Sequence, residues 1–73
     1  MIKDKEVASR VSKLMLEFGE KLNESVALSK ERCSDAEFKA YRAVVGRLMG
    51  EMLLGVMNPL YQEHPDLKPK ELL

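Results

Sequence analysis

The sequence predicts an all-α fold: an antiparallel helical hairpin with a short C-terminal turn or helix, two copies of which assemble as a homodimeric four-helix bundle. Three observations predict it. Apolar residues recur at helical spacing from Val7 to Cys33, and a Ser-x-x-Glu sequence at 34–37 restarts a helix almost at once. The stretch Val44 to Met57, VVGRLMGEMLLGVM, is apolar on every face. A helix that is hydrophobic all round has to be buried all round, and a 73-residue chain has little of itself with which to bury it.

The first helix is expected from about residue 4 to residue 32. Val7, Val11, Met15, Phe18, Leu22, Val26, Ser29 and Cys33 follow one another in steps of 4, 4, 3, 4, 4, 3 and 4. That mean step is close to 3.6, so one stripe stays on one face of a straight helix. Leu14 widens the stripe. Lys13, Glu17, Glu20, Lys21 and Glu24 occupy the other faces, with Glu17 and Lys21 at the favourable i, i+4 spacing. Gly19 and Asn23 weaken this helix relative to alanine without interrupting its pattern.

Ser34-Asp35-Ala36-Glu37 is a capping box, in which the serine hydroxyl and the glutamate carboxylate satisfy each other's backbone N–H groups. The second helix is expected at about 35–57. Phe38, Tyr41, Val45, Leu48, Met52 and Gly55 or Val56 form a seam with steps alternating between three and four. Asn58-Pro59 is expected to end it, because proline lacks the N–H and clashes with the preceding turn. The short link between the helices makes them antiparallel neighbours. The remainder, 58–73, is a proline-marked tail. Leu60, Tyr61, Leu67, Leu72 and Leu73 are expected to fold back as a lid on the bundle end, and 68–73 to start a last helical turn.

Length and composition restrict what this single domain of residues 1–73 can be. A lone core of this size supplies only about 3–5 kcal/mol, so small chains lean on disulfides, a metal or oligomerisation. One cysteine makes no internal disulfide, and the lone thiol beside five methionines fits a reducing, cytoplasmic setting. Twelve basic and twelve acidic residues cancel, which argues against a nucleic-acid or anionic-membrane partner. The first residues lack the apolar core of a secretory signal, and the run at 44–57 is too short and too charged to span a bilayer, which takes about 20 apolar residues.

Oligomerisation is the remaining staple, and the second helix shows where. Once its seam faces the first helix, the far flank holds Ala36, Ala40, Ala43, Gly46, Gly50, Leu53, Leu54 and Met57, relieved mainly by Lys39, Arg42 and Arg47. Ala43, Gly46 and Gly50 line one stripe, and glycine inside a helix costs roughly 0.5–1 kcal/mol relative to alanine. Close approach of another backbone is a reason to accept that cost. The expected interface is therefore Ala43, Gly46, Arg47, Gly50, Leu53, Leu54 and Met57, with a second copy as the first-choice partner and another protein as the alternative.

No constellation of residues carries catalysis, a metal or a cofactor. Cys33 and His64 lie at opposite ends of the second helix, some 35 Å apart at about 1.5 Å per residue. Neither helix has the Glu-x-x-His spacing of di-iron bundles. Glu17, Glu20 and Glu24 read as a solvated face, and the methionines as core filling or as an adaptable groove. Tyr61, Glu63, His64 and Asp66, between two prolines, are the expected partner-recognition surface of the tail. The leading expectation is a non-enzymatic interaction or regulatory module. One alternative is an adaptor or antitoxin-like subunit whose second helix docks on a different protein. Another is a small ligand-binding protein or enzyme with a site at the dimer interface, using Tyr41, Arg47 and Glu51.

Overall fold

In the computed structural model, which describes residues 1–69, two long helical arms lie antiparallel in a rod of 44 × 20 × 16 Å. Helix α1 spans Lys5–Arg32 without interruption through Gly19 and Asn23. Asp4 caps it, its carboxylate accepting from the N–H of Val7 at 3.1 Å. Cys33 ends it, its N–H donating to the carbonyl of Ser29. The Ser34–Glu37 capping box is fully formed and opens α2, Asp35–Glu51. Among the described residues there is no strand.

The second arm does not stop at Pro59. Beyond α2 the backbone widens into a π-helical turn, Met52–Met57, and continues as α3, Asn58–Glu63. The N–H of Asn58 reaches back five residues to the carbonyl of Leu53. The expected proline stop is thus corrected, and the physical reason is local. An α turn would press the Pro59 ring against the carbonyl four residues earlier, whereas the wider turn gives the ring room. A 3₁₀ turn, Pro65–Leu67, then brings the chain back towards the N-terminus. The predicted last helical turn over 68–73, and the lid residues Leu72 and Leu73, fall largely or wholly outside the described residues.

The packed core lies at the end where the N-terminus meets α3 and the following turn. Ala8, Met57, Leu60 and Tyr61 are buried together, with Ile2, Val11, Met15 and Leu67 packed against them. Leu60 and Ala8 have no exposed surface. Ser12 is buried among these side chains and shares a 2.5 Å hydrogen bond with the Tyr61 hydroxyl, so neither polar atom is left unsatisfied. Farther along the hairpin only Val45 is buried. There the Ser25 hydroxyl donates to the Leu22 carbonyl and accepts from the Tyr41 hydroxyl, both at 2.7 Å. Near the loop, Lys30 and Arg42 stand over the ring of Phe38.

The expected stripes are kept in part: Val11, Met15, Leu22 and Val26 on α1, and Phe38, Val45 and Met52 on the second arm, are buried or half-buried. On α1 the inward stripe runs through Ala8, Ser12, Met15, Gly19 and Leu22, while Val7 and Phe18 are exposed. On the second arm Met49 and Val45 turn inward, and Leu48 is exposed. Small residues face the neighbouring helix because they let the two backbones approach. At Gly19, the position a Cβ would take is 3.7 Å from the Met49 methyl. The expected Glu17–Lys21 pair is replaced by a loose Lys21–Glu24 contact at 3.9 Å.

Candidate functional site

Between α1 and the widened part of the second arm lies an open apolar cleft of about 830 Å³. Met15, Gly19, Met49 and Met57 line it, together with Met52 and Leu53. Leu16, Glu20, Asn23, Glu24 and Ala27 contribute the α1 wall. Their spacing of three to four residues puts them on one face of α1, beside the inward stripe. Gly50 adds a stretch of bare backbone on the opposite wall. Four of the five methionines therefore line one groove, of which Met57 and Met15 also belong to the closed core or pack against it.

The expected interface residues divide. Ala43, Gly46 and Arg47 are exposed and Gly50 is half-buried. Leu53 and Leu54 are 40% and 69% exposed. Met57 is instead buried in the core of the chain itself, because the π turn brings it round to Leu60 and Tyr61. No atom comes within 4 Å of where a Cβ would sit at Gly46, Gly50 or Gly55. Nothing among the described residues uses the close approach these glycines permit. Arg47 and Glu51 form no salt bridge with each other or with any other described residue.

The expected tail surface is largely occupied within the chain. Tyr61 is not an exposed recognition residue; it is buried against Ser12. Glu63 accepts from the α-ammonium group of Met1 at 2.8 Å. The imidazole Nε2 of His64 donates to the carbonyl of Ile2 at 2.6 Å, and Asp66 pairs with Lys5. These three contacts form a clasp that ties the start of the chain to the far end of the second arm. The hydrogen bond from the α-ammonium group holds the Glu63 carboxyl below the usual carboxylate range. Lys5 does the same for Asp66. The Glu37 carboxyl is lowered by the backbone N–H of Ser34.

Cys33 is an exposed free thiol at the hairpin turn, at the opposite end of the rod from His64. Among the described residues no group of three histidine, cysteine or acidic side chains is placed to hold a metal ion. No helix there is long and apolar enough to cross a membrane. Tyr41, a candidate for an interface site, is engaged with Ser25.

Sequence reasoning missed Ser12 and the π turn, and named Met49 only among the methionines that could fill a core or line a groove. A signal for the first lay in the sequence: Ala8, Ser12, Met15 and Gly19 form a stripe of mostly small residues, and a tyrosine on a facing helix seeks a polar partner when buried. The fold and its surface define a class, the all-α helical hairpin. Comparison of the chain with known protein families, curated proteins and solved structures finds no match.

Proposed function

We propose that this chain is a non-enzymatic interaction module that works as a homodimeric four-helix bundle in the cytoplasm, its outer surface engaging another macromolecule. One observation carries the proposal. A single hairpin leaves Leu54 at 69% and Leu53 at 40% exposure beside an open apolar cleft. Phe18, Leu14 and Leu28 stand about half exposed on α1 as well. Scattered single hydrophobic residues such as those three are ordinary on a protein surface, but exposed leucines beside an apolar cleft mark a place where something docks. The lone thiol and the balanced charge support the compartment and argue against a nucleic acid.

Light scattering across a dilution series, with helicity followed by circular dichroism, tests this reading. A mass of two chains, with helicity falling only as the dimer dissociates, is the expected result. A folded monomer at every concentration contradicts it and favours the adaptor or antitoxin-like reading, in which the cleft takes a helix of a different protein.

A further inference from the structure

We infer that the cleft of each copy receives Leu53 and Leu54 of a second copy, and that each Arg47 is set against Glu20 and Glu24 of that copy. The inference rests on the self-assembly proposed above and names the surface and the ion pairs that would direct it.

The occupant follows from what the flank itself carries. A closed two-fold contact uses one patch twice, so the patch must hold both a projection and a recess that accepts it. This flank has both: Leu54 is the most exposed large hydrophobic residue among those described, and the adjoining recess is lined by methionine and glycine. Flexible thioethers fit an irregular apolar guest. At Gly50 there is no side chain, and no atom within 4 Å, to keep a second backbone away.

Charge points to the same occupant. The α1 wall of the cleft bears Glu20 and Glu24, of which Glu20 has no cation among the described residues and Glu24 only a 3.9 Å contact with Lys21. Across the hairpin Arg47 is exposed and makes no salt bridge with any described residue. The two sets lie at one level along the rod. Arg47 is two residues from Met49, or about 3 Å of helical rise. The Met49 methyl in turn packs at Gly19, the neighbour of Glu20. A two-fold axis through that level sets each Arg47 against the second copy's acidic pair.

Charge reversal tests the inference on the full chain. Arg47→Glu alone, and Glu20→Lys with Glu24→Lys alone, should each raise the dimer dissociation constant about tenfold or more, because like charges then meet across the interface. The triple reversal should restore it to within a few-fold of the parent. Mixing the two partial variants should yield a mixed dimer tighter than either variant with itself. All three positions are exposed, so helicity should be kept at high concentration. If it is lost, Arg47→Gln and Glu20→Gln repeat the test with smaller expected losses. A parent chain that dimerises while Arg47→Glu leaves its dissociation constant unchanged overturns the inference and leaves self-assembly standing. A parent chain that is monomeric throughout overturns both.

Discussion

The two ends of the same hairpin are built on opposite terms. Where the N-terminus meets α3, Leu60 and Ala8 are fully covered, the Ser12 and Tyr61 hydroxyls satisfy each other, and three polar contacts clasp the N-terminus to the far end of the second arm. Along the middle of the rod, only Val45 is buried and leucines stand in solvent around an open cleft. The first region is a core that one chain completes. The second stays open within one chain, and the proposed dimer would complete it. The difference teaches that apolar content alone does not hold a small hairpin together; a few covered side chains at one end do, and the remaining apolar surface is available for another role.

The largest effect should come from removing the centre of the closed end. Leu60→Ala is expected to cost about 2–5 kcal/mol, comparable with the whole stability of a core this size, and denaturant titration at fixed protein concentration measures it. Leu54→Ala should leave the closed end intact and act instead on assembly, seen as a shift in the dilution at which mass halves. If the two substitutions proved equivalent in the denaturant titration, the distinction between the two regions would fail.

The π turn joins the two regions and offers the next test. Deleting Gly55 would convert the wide turn to an α turn while keeping Leu60 and Tyr61 on their face. It would also return the Pro59 ring to its clash with the carbonyl four residues earlier, at about 3 kcal/mol. Combining the deletion with Pro59→Ala should recover most of that loss in thermal unfolding. A deletion tolerated without the proline change would mean that the turn is not there to house the ring.

The smallest effect concerns the clasp. The Glu63 and Asp66 carboxyls are both held below their usual range by the cations they face. Their contribution is complete above the ordinary carboxylate value and disappears as pH falls through the lowered folded value. The thermal midpoint should therefore decline as pH is taken below about 4, and Asp66→Asn should flatten part of that decline. A midpoint that rises on acidification would contradict the clasp as a stabilising contact.

Much of this architecture could be read from residues alone, and the failures have a common cause. The capping box at Ser34 and Glu37, the unbroken α1 and the hairpin follow from short-range chemistry that operates whatever the chain packs against. Which face turns inward follows only in part. Apolar periodicity marks Val7 and Phe18 as strongly as Met15, yet the single chain exposes the first two. A pattern of burial records every surface that is apolar, including surface that only another molecule could cover. Pro59 misled for a related reason: its rule as a helix terminator assumes an α turn before it, and Met52–Met57 is not one. In the candidate site, Gly50, Leu53 and Leu54 were legible as an apolar flank. A methionine groove was one of two readings of those side chains, but its place beside the flank was not legible, since it depends on how α1 and the widened turn diverge.

The most direct test of the central claim, that the open flank is half of a core shared by two copies, is the thermal unfolding midpoint of the unaltered chain over a hundredfold range of protein concentration. Dimerisation coupled to folding stabilises by mass action, so the midpoint should climb steadily with concentration. A midpoint independent of concentration, with a monomer mass throughout, would contradict the account and leave the flank to a different partner.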